Sequence, residues 1–220
     1  MSAQNAALRE KLLREGAGSL AEREALELLV CLTHPKSEAA ALAKRALDIH
    51  GCVAAAADAG YAGLSEVLPE RAALALALLP RLSQIYLLEK HGPGECLDGS
   101  LKAAEFMRPY FLHSEYEEVY AAMLDSRSRA TACENLTDSH RVTAARIDSR
   151  KVVEAALRHR AAAVIIAHNR LNGAALPSPD DKFVTKKLGA LLKGANIELR
   201  DHIIIAGKDY YSLRDGGFFD

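Results

Sequence analysis

The chain has little that would tie it to a membrane, a disulfide framework or a polyanion. Its four cysteines, Cys31, Cys52, Cys96 and Cys133, are widely spaced, with no Cys-x-x-Cys pair. That pattern supports neither a zinc ribbon nor a disulfide scaffold and is that of small buried hydrophobes. No window approaches the roughly eighteen uncharged apolar residues of a membrane-spanning helix, so no span is expected. The amino terminus carries Arg9, Glu10, Lys11 and Arg14 where a secretory signal would need an apolar run, which points to a cytoplasmic protein. With 28 basic and 29 acidic side chains the net charge is −1, so no global field steers the chain to nucleic acid or lipid. Internal repeats and low-complexity segments are absent.

What is present is an ordinary globular composition, 50% apolar and 26% charged, over a length of 220 residues that fits one large domain or two small ones. Residues 5 to about 90 have helical patterning. Ser19-Leu20-Ala21-Glu22 resembles a capping box ahead of an apolar face at Ala25, Leu26, Leu28 and Leu29. A second helix runs from Ser37 to Leu47 and ends near His50-Gly51. A third, Arg71 to Leu88, is expected to bend or break at Pro80. His91-Gly92-Pro93-Gly94 marks a boundary, giving a helical domain over 1–91, a linker over 92–99 and a second domain over 100–220. In that second domain, helices at Ser100–Leu112, Ser149–Arg160 and Pro179–Lys193 alternate with strands. The strands are expected at Val119–Asp125, Ala130–Leu136, Ala163–His168, Ile197–Ala206 and Tyr210–Ser212. Alternation of this kind predicts an α/β fold.

Chemistry concentrates between Ala161 and Asp181. An apolar run, Ala163 to Ala167, has the look of a fully buried strand that delivers His168 at its end. A Gly/Pro/Asn-rich loop follows and closes on Ser178-Pro179-Asp180-Asp181, a helix start with Ser178 at the N-cap and Asp181 three positions on. A strand-end histidine facing a helix-start aspartate can form half of a metal site. Residues i and i+2 of an extended segment point the same way, so a second imidazole two beyond His168 would add a further zinc ligand. That position is Arg170, a permanent cation with no lone pair to donate.

The pattern His168-Asn169-x-x-x-Gly173 followed by Pro177-Ser178-Pro179-x-Asp181 resembles the JAMM metallopeptidase motif of bacterial RadC proteins, whose usual run is His-Asn-His-Pro-Ser-Gly and then, past a Pro-Ser, the ligand Asp. The resemblance extends over almost the whole chain. Glu118-Val119-Tyr120 through Met123-Leu124-Asp125 is similar to the RadC strand that carries the catalytic Glu, and Asp148-Ser149-Arg150-Lys151-Val152-Val153-x-x-Ala156-Leu157 to its preceding helix. Asp201-His202-Ile203-Ile204 is similar to a carboxy-terminal Asp-His-Leu-Ile strand, and Leu8 through Ala17 to the amino-terminal signature. The resemblance implies a small helical domain followed by a JAMM/MPN-type, cytidine-deaminase-like mixed-sheet domain. It implies zinc as cofactor, His168 and Asp181 as ligands, Glu118 as the base that takes a proton from zinc-bound water, Ser178 as a holder of the reacting oxyanion, and a connection to DNA repair.

Two departures limit the transfer. Arg170 and Leu171-Asn172 stand where the family has His and Pro-Ser. The stretch Leu64 to Ala73, where RadC proteins place a Gly-x-Gly helix-hairpin-helix turn for nucleic-acid backbone, has no glycine. Zinc is therefore expected to be absent or weakly bound, with Arg170 free to pair with Asp181 or Glu118 in the space a metal would fill. Of the remaining residues only His202 is a substitute ligand, and its facing is not fixed by sequence. Each site residue also has a plainer role: His168 as a strand-end histidine bonded to backbone, Ser178 and Asp181 as helix caps, Glu118 as a solvated carboxylate in the run Glu115, Glu117, Glu118. A basic strip, Arg141, Arg146, Arg150, Lys151, Arg158 and Arg160, with Lys182, Lys186 and Lys187 nearby, could take phosphate or acidic protein or be a solvated helix face. The expected function is a RadC-like pseudo-metallopeptidase acting as a binding or scaffold module for a protein partner, with a homodimer left open. The competing readings are a zinc-dependent peptidase or isopeptidase and a DNA-binding repair accessory protein.

Overall fold

The structure, a computed structural model, describes residues 3–112, 114, 116–137 and 147–218. The chain is an α/β protein with a helical amino-terminal part, and it divides into two compact units, Met1–Ser83 and Gln84–Asp220. Of the basic strip, Arg141 and Arg146 lie outside the described residues, as does Glu115.

The first unit is built from α1 (Ala3–Glu15), α2 (Glu22–Cys31), α3 (Lys36–His50), α4 (Val53–Asp58), α5 (Gly60–Ser65) and most of α6 (Glu70–Lys90). Its core is leucine and alanine: Leu26, Ala39, Ala43, Leu64, Ala72 and Leu76 are among the buried residues. Alanine at the contacts lets short helices approach closely. The capping box expected at Ser19 is not formed. Leu20 and Ala21 are extended, so α2 starts two residues later with Ala21 as its cap. Alanine has no side-chain acceptor, and only the returning half of the box exists: the Ala21 N–H donates to Glu24 at 2.8 Å, while Lys11 holds the same carboxylate at 2.7 Å. Ser19 instead donates to the Gly16 carbonyl within a 3₁₀ turn. Helix α6 contains Pro80 and continues as one helix through it. Among the described residues it is also the one helix long and apolar enough, by length and composition, to cross a membrane, though Arg81 lies inside it.

In the second unit five strands, β1 (Val119–Leu124), β2 (Ala130–Asn135), β3 (Ala163–Asn169), β4 (Glu198–Ala206) and β5 (Asp209–Ser212), form one sheet in the order β2-β1-β3-β4-β5. Only β3 and β4 run parallel, joined by the crossover helix α9 (Pro179–Gly194); the other neighbours are antiparallel. β3 is buried at every residue, as expected for a central strand covered on both faces. Alternation then divides the core. Val164 and Ile166 pack with Val152 and Ala156 of α8 (Ser149–Arg158) and Leu188 and Leu192 of α9. Ile165 and Ala167 pack with Ala103, Phe106 and Met107 of α7 (Ser100–Met107) on the other side. His168 continues the Val164–Ile166 row, so it points to the α9 face.

Register decides where β4 places its polar residues. Leu199 pairs with Val164 and Asp201 with Ile165, which leaves Arg200 as an unpaired extra residue. This bulge lets Leu199 and His202, an odd number of residues apart, both face α9. Without it one of the two would face α7.

A candidate metal-site remnant occupied by arginine

The site forms where the end of β3 meets the start of α9. Ser178 caps α9: its hydroxyl accepts the Asp181 N–H at 3.1 Å, and the Ser178 N–H donates back to Asp181 Oδ2 at 2.8 Å. The Ser178 hydroxyl also donates to Oδ2 at 2.6 Å. One turn along α9, the Thr185 hydroxyl donates to the Asp181 carbonyl at 2.6 Å. Gly173, in the connecting loop, has φ +100, a conformation that L side chains rarely adopt.

Arg170 lies on the same side of the chain as His168. Its backbone N–H extends the β3–β4 ladder to the Ile205 carbonyl at 2.7 Å, which fixes its Cα. Its guanidinium reaches Asp181 Oδ2 at 2.6 Å and Glu117 at 3.0 and 3.2 Å. The second carboxylate at Arg170 is thus Glu117 and not Glu118. Glu118 is held elsewhere, accepting from Asn135 at 3.0 Å and from the Ser114 hydroxyl. Asn169, pointing opposite to His168, accepts the Glu118 N–H at 2.6 Å and donates to the Tyr116 carbonyl at 3.2 Å, locking this segment to β3.

Behind Asp181 lies a buried chain whose proton positions follow from its ends. Thr185 has one proton and gives it to a carbonyl, so at its 2.6 Å contact with His202 Nδ1 it must accept. His202 is therefore protonated at Nδ1 and, being neutral, has a lone pair at Nε2. That lone pair lies 2.8 Å from His168 Nδ1, which must donate. His168 Nε2 is left with a lone pair, buried and without a hydrogen-bond partner, 3.6 Å from Asp181 Oδ1. Burial, opposed by Asp181 and aided by Arg170, pushes the His168 pKa down to about 4, and burial together with His168 holds His202 well below the usual imidazole range. At neutral pH the His168–Asp181 contact is accordingly not an ion pair. Burial works to raise the Asp181 carboxyl, but the Ser178 hydroxyl, His168, the Ser178 N–H and Arg170 together hold it below the usual range.

The structure therefore brings His168, Arg170, Ser178, Asp181 and His202 together. Two lone pairs, at His168 Nε2 and Asp181 Oδ1, still converge as metal ligands would. Among the described residues, however, no group of three His, Cys, Asp or Glu side chains could hold a metal. His202 sits behind His168, with both ring nitrogens engaged, so it does not replace the missing ligand. A guanidinium lies where a third donor would need to be. This donor set does not fit a catalytic zinc, which takes three protein ligands and a water. Sequence reasoning missed Thr185, Asn169 and Glu117. Thr185 had a usable signal, since it sits four residues after Asp181 on the same helix face.

A mixed sheet with its crossover helix capped at Ser178–Asp181, and a strand-end His facing that cap, is the arrangement of a JAB-type α/β domain, here with Arg170 bonded to the aspartate of the cap. The family model for the RadC-like JAB domain matches residues 97–218, and the chain belongs to the RadC family. It is 34% identical over 212 residues to a UPF0758 protein of Alcanivorax borkumensis, covering 95% of this chain and 94% of that one. A UPF0758 protein of Xanthomonas campestris is 33% identical, covering 96% and 94%. One from Burkholderia cenocepacia is 28% identical, covering 96% of this chain and 82% of its own length.

Proposed function

We propose that this RadC-family chain is a pseudo-metallopeptidase: its JAB domain has exchanged the zinc for an internal cation and serves as a binding or scaffold module for a protein partner. The observation that carries the reading is Arg170, bonded to Asp181 at 2.6 Å and Glu117 at 3.0 Å. A divalent ion beside a fixed guanidinium meets direct repulsion, and its carboxylate ligand already takes three hydrogen bonds on one oxygen. Loss of even an outer partner of a metal ligand costs about 10–100-fold in affinity or activity, and replacement of a ligand by a cation costs more. With no activated water, Glu118 has no proton to take and Ser178 remains a cap.

The zinc-hydrolase reading has one observation in its favour, the orphaned lone pair at His168 Nε2. Elemental analysis after zinc loading separates the two. The wild-type chain is expected to retain well under one equivalent, and Arg170→His to gain close to one, lost again in Arg170→His/His168→Ala. Stoichiometric zinc in the wild type, lost on His168→Ala and accompanied by cleavage of an isopeptide substrate, would overturn the proposal.

A further inference from the structure

A groove of about 650 Å³ runs along α9 beside the start of β4, wholly within the second unit. Ala190, Ile197, Leu199 and Phe218 give it an apolar wall, and the exposed Lys186 and Lys193 line it as well. At 3.6 residues per turn Lys182, Lys186, Gly189 and Lys193 fall within a sector of about 60°, so three lysines stand in one row over about 16 Å. Lys182 lies 4.3 Å from the centre of the Phe218 ring. Neither Lys186 nor Lys193 has an ion-pair partner among the described residues. Glu198, the carboxylate in the lining, is already bonded to Arg200 at 2.8 Å and Arg214 at 3.4 Å. Gly189 opens the groove. Glycine inside a helix is less stable than alanine, and no close contact demands it here. A Cβ at this position would meet only Leu199 Cδ2, at an ordinary 3.8 Å. Its missing side chain leaves the floor over Leu199 uncovered.

We propose that this groove binds an extended segment of a protein partner in which acidic residues alternate with leucine or phenylalanine. The proposal names the partner chemistry of the binding module described above and rests on that reading. Unpaired lysines beside an apolar recess are complementary to a ligand that carries carboxylates next to apolar side chains. The lysine row, about 16 Å long, matches about five residues of extended chain at roughly 3.3 Å each. Lys186 and Lys193 stand about 10 Å apart along the helix axis, a spacing for two separate anionic groups rather than one free phosphate. A flat membrane surface would reach the lysines but not the recessed floor. Nucleic acid would need aromatic faces for its bases, yet Phe218 is the only aromatic among the described lining residues, and Lys182 covers one face of it.

The test is fluorescence anisotropy of the full chain with a fluorescein-labelled hexapeptide alternating Glu and Leu, compared with hexapeptides alternating Glu and Ser or Lys and Leu. The first is expected to bind with a dissociation constant on the order of 10–100 µM, and the other two at least about tenfold more weakly. Lys186→Glu/Lys193→Glu should weaken the Glu-Leu peptide at least about tenfold and strengthen the Lys-Leu peptide, a reversal that no folding defect produces. Gly189→Met should fill the groove and cost as much affinity, while thermal stability holds or rises. Zinc content reports on the metal pocket separately. A wild-type chain that retains no zinc yet ignores the Glu-Leu peptide overturns this inference and leaves the reading above standing. Equal binding of the Glu-Ser peptide, indifference to both variants, or a stronger response to single-stranded DNA or to phosphatidylcholine/phosphatidylglycerol vesicles would each overturn it as well.

Discussion

At the scale of single residues, the buried chain Thr185–His202–His168 turns hydrogen-bond bookkeeping into a measurable statement. A threonine proton committed to a helix carbonyl forces both histidines into the Nδ1–H tautomer, against the usual preference for Nε2–H. Long-range ¹⁵N–¹H correlation spectra at pH 7 should show both rings neutral and protonated at Nδ1; an Nε2–H signal for either would break the inferred chain. The same burial predicts a pH dependence of stability. The folded His168 holds no proton above about pH 4, while the unfolded chain takes one up below about pH 6.5. Between those values the unfolded state binds more protons, so stability falls as the pH drops. His168 accounts for roughly 3 kcal/mol of this loss, and His202 acts in the same direction. The depressed Asp181 carboxyl favours the fold above its unfolded pKa, and that contribution goes as the pH falls through its folded one. Urea midpoints should therefore decline from pH 6.5 to 4, and His168→Gln should flatten the slope even though it lowers stability at neutral pH.

At the scale of elements, sequence and structure agree wherever a local signal dominates. The apolar run Ala163–Ala167 with a polar end makes β3, and Ser178-Pro179-x-Asp181 starts α9, because capping chemistry and burial act over a few residues. Ser19 misled because the cap of α2 is a serine-free position held by Glu24 from inside the helix, which a search for Ser-x-x-Glu does not see. The facing of His202 was illegible for a different reason: it depends on one unpaired residue, Arg200, in a strand whose pattern reads as continuous. That bulge makes a sharp prediction. Arg200→Ala removes bonds to Ser128 at 2.6 Å and Glu198 at 2.8 Å but keeps the residue count, and should cost about 1 kcal/mol or less. Deleting Arg200 removes the extra residue and leaves Leu199 and His202 two apart, so a regular strand keeps Leu199 opposite Val164 and His202 opposite Ile166, both still facing α9. Thermal denaturation should show a few degrees' loss at most for the substitution and a retained cooperative transition for the deletion; a deletion that failed to fold would show that the bulge itself, and not the facing of Leu199 and His202, is what the strand requires.

At the scale of the whole molecule, charge bears on whether this chain binds nucleic acid, the competing reading raised by its sequence. A net charge of −1 gives no long-range attraction to a polyanion. Local patches could still act, yet of the three described arginines expected to form a basic strip, two are held by carboxylates: Arg150 bonds Glu154 at 2.7 Å, and Arg158 bonds Glu134, which His159 also holds. Lys182 sits 4.3 Å from the Phe218 ring centre. Nearby Lys186 and Lys187 on α9 are too few to release many counterions, since each phosphate neutralised contributes a salt slope of only about −0.9. The turn at residues 66–69 between α5 and α6, which in sequence lacks the glycines of a backbone-binding hairpin, offers no replacement. Fluorescence anisotropy with single- and double-stranded oligonucleotides should therefore give no affinity tighter than about 10⁻⁵ M at physiological salt, with a log–log salt slope shallower than about −3. Submicromolar binding with a slope near −6 or steeper would place a phosphate-binding surface on this chain after all, and would favour nucleic acid over the protein partner proposed above.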